Sequence, residues 1–197
     1  MVISSHLNMK TNSSPPWYSS YEQNNYGNFF YTLMRVYQPE TVVELGTKAG
    51  YSTYHIARGL RDNGKGKLDC YDLWEKYQFN SVPLSQTQAN LKEFNKIISF
   101  NQRDAIGMDE SYKSIDILHV DLSNDGILLE QVIPNWIHKT NQLIIMEGGS
   151  DERDKIEWMV KNNKLPIKTW LEDFSRRTNI KYLTIEPFPS VTLIHKE

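Results

Sequence analysis

Apolar positions recur along the chain with two alternating periods. From Asn25 to Tyr37 the residues Phe29, Phe30, Leu33, Met34 and Tyr37 fall at three-to-four spacing, one face of a helix, and Pro39 stands where a helix should stop. Thr41 to Leu45 (TVVEL) is a β-branched run with strand character that feeds GTKAGYST, and a second helix is expected over Thr53 to Leu60. The turn Asp62-Asn63-Gly64-Lys65-Gly66 leads to a strand over Lys67 to Tyr71, a helix over Leu84 to Phe94 and a short strand over Ile97 to Phe100. Strands at Ile115 to Leu122 and Gln142 to Met146 alternate with helices at Gly126 to Ile137 and Glu152 to Lys161. Two strand-like runs, YLTIE and VTLIH, close the chain around Pro187-Phe188-Pro189-Ser190 as a hairpin.

Strands alternating with helices predict an α/β fold: a Rossmann-like, doubly wound, mostly parallel seven-stranded sheet with an antiparallel C-terminal hairpin. The length, 197 residues, suits one domain, expected over 23–197. Residues 1–22 are rich in Ser, Asn and Pro without a sustained period and read as an arm. Trp17, Tyr18 and Tyr21 make that arm one that packs on the body, on a partner subunit or at the mouth of a site, and a homodimer stays open for that reason. Segments around Val82 to Gln88 and Leu165 to Thr178 are expected as loops that set ligand specificity.

Charge narrows the partners. Lys and Arg number 22 against 24 Asp and Glu, a net charge of −2, so no long-range field draws the chain to phosphate backbones or anionic membranes. Apolar runs such as Leu143 to Met146 are a few residues long against the roughly 20 that a bilayer requires, and MVISSHLNMKTNSS has no secretion pattern. Neither nucleic acid nor membrane is expected as a partner, and a cytoplasmic location is. The single cysteine, Cys70, permits no intrachain disulfide and reads as a buried thiol in a strand.

The richest chemistry lies in Val42-Val43-Glu44-Leu45-Gly46-Thr47-Lys48-Ala49-Gly50-Tyr51-Ser52-Thr53, a strand, a glycine-bearing turn and a helix start. Glycines there let backbone N–H groups approach a ligand at the carboxyl edge of the sheet. A dinucleotide fingerprint would carry a third glycine, and its absence argues against a nicotinamide oxidoreductase. Glu44 before the turn suits an ammonium-bearing ligand better than a phosphate. Asp72, ending the next strand in LDCYDLWE, suits the hydroxyls of a ribose, with the alternative that it only caps a strand end.

The run YGNFFYTLMRVYQPETVVELGTKAGYSTYHIARGL, with Asp72, Gln102-Arg103-Asp104-Ala105, IDILHVDLSNDG and LIIMEGG, resembles the class I S-adenosylmethionine-dependent methyltransferases over roughly Gly27 to Asp151. It is most similar to the catechol-type and macrocin-type O-methyltransferases. The resemblance implies S-adenosylmethionine as cofactor and a small hydroxylated acceptor, a sugar or metabolite, as partner. It implies Glu44, Gly46, Thr47, Gly50, Tyr51 and Ser52 about the methionine half, Asp72 and Leu73 at the ribose, and Asp104 and Ala105 at adenine, with Asp121 also at the cofactor.

Those groups hold a divalent ion on acids ending the fourth and fifth strands. Asp121 and Glu147 match these positions as catalytic residues and ligands of Mg2+ or another divalent cation. This sequence departs from the pattern at Gly148, where a further acid or amide is expected; Asp151 and Asn124 are the substitutes in reach of the sequence, and without a metal Asp121 and Glu147 are strand-end polar residues shaping a pocket. His119, two positions before Asp121, is either a general base or a core histidine. Asp151-Glu152-Arg153-Asp154-Lys155 reads as helix capping and a solvated face. Trp74 and Tyr77 either close over adenine or pack ordinarily. A non-catalytic S-adenosylmethionine- or nucleoside-binding module on the same fold is the alternative function.

Overall fold

A computed structural model describes residues 17–195. Seven strands form one sheet: β1 (Thr41–Leu45), β2 (Lys67–Asp72), β3 (Ile98–Gln102), β4 (Ile115–Val120), β5 (Thr140–Glu147), β6 (Lys181–Ile185) and β7 (Val191–His195). Their order is β3-β2-β1-β4-β5-β7-β6. The first five strands are parallel, and β7 lies antiparallel between β5 and β6. This is the doubly wound, mostly parallel sheet with an antiparallel hairpin that the alternation of periods predicts.

Alternation along the strands sorts the core into two layers. Val42, Leu68, Cys70, Ile117 and Ile145 face a cluster built with α1 (Tyr26–Tyr37) and α2 (Tyr51–Asn63). Val43, Leu45, Leu118, Val120, Ile144 and Met146 face a second cluster built with α4 (Gly126–Ile137) and α7 (Ile167–Thr178). Burial on both faces explains why these strands read as continuous apolar runs. Among the described residues, no helix is long and apolar enough to cross a membrane.

Three expectations change. Leu165 to Thr178 is largely helix rather than loop, because Ile167, Trp170, Leu171 and Phe174 bury one face at helical spacing. Its first turn is capped from a distance: the Asp154 carboxylate accepts the backbone N–H groups of Ile167 and Lys168 at 2.8 and 2.9 Å. The helix expected to Phe94 ends earlier, as α3 (Leu84–Asn90), and a 3-10 turn (Lys92–Phe94) carries on to bury Phe94. The helix expected over Glu152 to Lys161 is two pieces, α5 (Asp151–Asp154) and α6 (Glu157–Lys161), separated at Ile156, whose backbone is extended.

The first sixteen residues of the expected arm lie outside the described residues. The remainder is ordered: Trp17 and Tyr21 are buried, and a 3-10 turn (Ser20–Asn24) is fixed by reciprocal bonds between Ser19 and Glu22.

Candidate active site at the carboxyl edge of the sheet

The loops after β1, β2, β3 and β4 surround a cavity of about 450 Å³, within the range of small-molecule and cofactor sites. Gly46, Thr47, Gly50, Tyr51 and Ser52 line it from the glycine loop, Asp72 and Leu73 from the end of β2, Asp104 and Ala105 from the loop after β3, and Asp121 from the end of β4. Trp17 and Tyr18 of the arm also line it, which fits the expectation of an arm at the mouth of a site, and residues that sequence reasoning did not assign complete the wall, chiefly Ser19, Ser20, Phe79 and Ser123.

The loop's close approach explains its first glycine. Gly46 has φ +89°, and a Cβ there would lie 1.9 Å from the backbone oxygen of Asp121. No side chain fits between the turn after β1 and the end of β4.

Glu44 does not stand on the cavity wall. It is fully buried, and its register neighbours on β2 and β4 are Cys70 and His119. Ser52 Oγ donates to its Oε1 at 2.7 Å, Thr53 Oγ1 to its Oε2, and His119 Nδ1 lies 3.0 Å from Oε1. The acid is spent on holding the start of α2 against the sheet, and the structure does not put it on the cavity wall where a direct ligand contact was expected. Cys70 is buried, and burial with the nearby Glu44 raises its thiol well above the ordinary value, as expected for an inert core thiol.

Asp72 is anchored but keeps some capacity. Its Oδ2 accepts the N–H groups of Thr47 and Lys48, both at 2.8 Å, and its Oδ1 accepts that of Trp74 at 2.6 Å. Three of roughly four acceptor positions on a carboxylate are taken, which leaves room for one ligand hydroxyl rather than two. Of the two aromatics after it, Trp74 is buried beneath the loop, with Nε1 donating to Lys48 O and Thr87 Oγ1. Tyr77 lines the cavity, and its Oη lies 2.9 Å from Ser123 Oγ, joining the loop after β2 to the loop after β4.

The acids of β4 and β5 part company. Asp121 faces the cavity, and burial raises its carboxyl to about 6, with His119 and Arg153 opposing and Glu44 reinforcing the rise. Glu147 is buried and gripped by Arg153: Nε pairs with Oε1, and Nη2 donates to Oε2 at 3.1 Å. Burial raises the Glu147 carboxyl to about 7 against the pull of Arg153. Burial works against the Arg153 charge in turn, yet Glu147 outweighs it and raises the guanidinium above its ordinary value.

This geometry does not fit the expected divalent ion. Each oxygen of Glu147 already accepts an N–H of the guanidinium, and that fixed positive charge opposes a second cation on the same carboxylate. Asn124 turns its Nδ2 to the backbone oxygens of Val120 and Glu147 and its Oδ1 to Leu122 N. Asp151 is exposed and paired with Lys168. Among the described residues, no group of three or more His, Cys, Asp or Glu stands together to hold a metal. Arg153, read from sequence as part of a solvated face, is only 5% exposed. The sequence offered one cue to it, the Gly148-Gly149-Ser150 turn that sends the following residues back over the end of β5.

His119 is a core residue by burial and an incompletely satisfied one by bonding. Its Nδ1 lies 3.0 Å from Glu44 Oε1, its Nε2 has no hydrogen-bond partner among the described residues, and it does not line the cavity.

A parallel sheet with a reversed last strand, a glycine loop leading into α2 and acids at successive strand ends define a class I methyltransferase architecture. Residues 43–151, more than half of the chain, match the family described as methyltransferase domain. The chain belongs to that family and is an S-adenosylmethionine-dependent methyltransferase. Among solved structures it is similar to the O-methyltransferase TomG of Streptomyces achromogenes, a protein of tomaymycin synthesis solved with SAM: 18% identity, TM-score 0.67, covering 92% of this chain and 82% of that one. It is similar also to an O-methyltransferase of Bacillus cereus in complex with SAH, at 16% identity and TM-score 0.65, covering 93% and 84%. A third is the SAH-bound methyltransferase PaMTH1 of Podospora anserina, at 15% identity and TM-score 0.62, covering 87% and 77%. Comparison with curated proteins finds no match.

Proposed function

We propose that this chain transfers the methyl group of S-adenosylmethionine to a hydroxyl of a small molecule. The observation that carries the reading is the single cavity wall shared by the glycine loop, Asp72, Asp104 with Ala105, and Asp121. Along that wall the methionine end of the cofactor would lie on Gly46, Thr47 and Gly50, with Tyr51 and Ser52 at the start of α2. Its ribose would lie at Asp72 and Leu73, and its adenine at Asp104 and Ala105. This assignment places the methyl group toward Asp121.

Methyl transfer from a sulfonium is an in-line displacement. The protein therefore holds the acceptor oxygen within attack distance and takes its proton. Asp121, a cavity-facing carboxyl raised toward neutrality, suits that second task. The O–H bond breaks toward the Asp121 carboxylate while the new O–CH3 bond forms and the S–CH3 bond breaks, leaving neutral S-adenosylhomocysteine. The O-methyltransferases among the similar structures support a hydroxyl as the receiving group.

The test is calorimetric titration with S-adenosylhomocysteine of the wild type and of Asp72→Asn. Micromolar binding weakened about tenfold in the variant, with circular dichroism unchanged, is the expected result; tenfold corresponds to about 1.4 kcal/mol. A wild type with no affinity for S-adenosylhomocysteine sinks the reading. Binding without methyl transfer to any hydroxylated acceptor would instead favour a non-catalytic binding module.

A further inference from the structure

Behind Asp121 the fold encloses a set of polar groups that the cofactor cavity does not use. Among the described residues, Arg153 Nη1, His119 Nε2 and Tyr21 Oη are all buried without a hydrogen-bond partner. They share one neighbourhood. The Tyr21 and His119 rings lie 6.3 Å apart, and the charges of Asp121, Glu147, Glu44 and Arg153 all act on the Tyr21 phenol. Native proteins rarely leave buried donors and acceptors unpaired, and three together point to a ligand group that completes them.

The arrangement of Arg153 is specific. Ser150 Oγ accepts the Arg153 N–H at 3.1 Å, which folds the residue back over β5. Nε and Nη2 are then committed to Glu147, and Nη2 also reaches Asn124 O at 3.3 Å. A planar guanidinium binds a carboxylate through two parallel N–H bonds and keeps its charge even when buried. Only Nη1 is left over, and Asp121, which shares the cavity wall, feels the Arg153 charge.

We propose that Arg153 is the built-in cation at the end of β5, behind Asp121: its guanidinium takes the place beside Glu147 that a divalent ion would need, and the chain holds no metal between Asp121 and Glu147. The proposal rests on the methyltransferase reading for the meaning of the site, and not for the metal chemistry itself. A fixed guanidinium supplies positive charge behind Asp121 without the open coordination positions of a metal ion.

The test uses Mn2+ alone as the probe, followed by electron paramagnetic resonance of the free ion, on the whole chain. The wild type is expected to show no stoichiometric site below millimolar Mn2+. Arg153→Ala, which frees both oxygens of Glu147, is expected to bind Mn2+ at least tenfold more tightly than the wild type, and Arg153→Ala with Glu147→Gln to lose that gain. A stoichiometric wild-type site that disappears in Glu147→Gln would overturn the proposal; so would a folded Arg153→Ala that binds no more Mn2+ than the wild type. If Arg153→Ala does not fold, the wild type and Glu147→Gln decide alone. S-adenosylhomocysteine titrations of the same samples, with and without EDTA, report separately on the methyltransferase reading.

Discussion

The two halves of the sheet's carboxyl edge use the same residue types for opposite purposes. On the β1–β2 side, Glu44 and Asp72 take hydrogen bonds from hydroxyls and backbone N–H groups, Glu44 also meets His119 Nδ1, and neither has an Arg or Lys partner among the described residues. On the β4–β5 side, Glu147 is committed to a buried guanidinium, and Asp121 stands beside that charge. Acids matched with neutral donors shape a loop, and an acid matched with a cation fixes that cation. A carboxylate at a strand end therefore says where chemistry can happen and little about which chemistry, until its partners are known.

The sharpest way to break this contrast is to remove one partner on each side. Arg153→Ala leaves Glu147 buried and unpaired, and a loss of about 3–5 kcal/mol in urea denaturation is expected. Adding Glu147→Leu to it should restore most of that loss; if the double variant is no more stable than the single, the pair is not the reason for the fall. Gly46→Ala forces a Cβ against the Asp121 oxygen from a positive φ, and its clearest effect should be a loss of S-adenosylhomocysteine affinity beyond tenfold, about 1.4 kcal/mol or more. Undiminished affinity would show that the two strand ends can part freely.

On the neutral side, Glu44→Gln keeps the size of the side chain but removes part of its acceptor capacity for Ser52, Thr53 and His119. A loss of about 1–3 kcal/mol is expected, smaller than that of Arg153→Ala. Equal losses would erase the contrast.

The smallest effect is a pH dependence. His55, on α2, packs its ring where a Cβ on Gly27 would lie 2.2 Å from Nε2, and burial lowers its pKa to about 4, helped by Arg58. The unfolded chain then binds the proton more readily between about pH 6.5 and 4, so stability falls as the pH drops through that window. The slope stays below ~1.4 kcal/mol per pH unit, the limit for one proton, because the two pKa values are too close for the states to differ by a whole proton. Asp121 acts in the opposite sense, so the measurement is the difference between wild type and His55→Gln in urea melts. A difference that does not change with pH would place the effect elsewhere.

Much of the fold was legible because every strand but β2 carries β-branched residues between turn signals, and β1 and α4 match their expected bounds throughout. The missed helix, α7, had Ile167, Trp170, Leu171 and Phe174 in plain helical order, while its cap came from Asp154, thirteen residues before Ile167. At the site, Gly46, Asp72, Asp104 and Asp121 could be placed by position because strand ends fix where a side chain starts. The partners of Glu44 and Glu147 could not. Hydroxyls arriving from α2 and a guanidinium folded back from α5 are tertiary facts, and one burial decision turns Arg153 from a surface charge into the counter-ion of β5.

β7 follows β6 in the chain but lies inside it in the sheet, between β5 and β6. During synthesis the five parallel strands can pair as they emerge, while β5 keeps an open edge and β6 has no neighbour until residues 191–195 arrive. The Glu147 end of β5 therefore becomes a finished wall only once residues 191–195 have been made, and a nascent chain stalled before Val191 carries the glycine loop beside an unpaired β5, exposed to pairing with other chains.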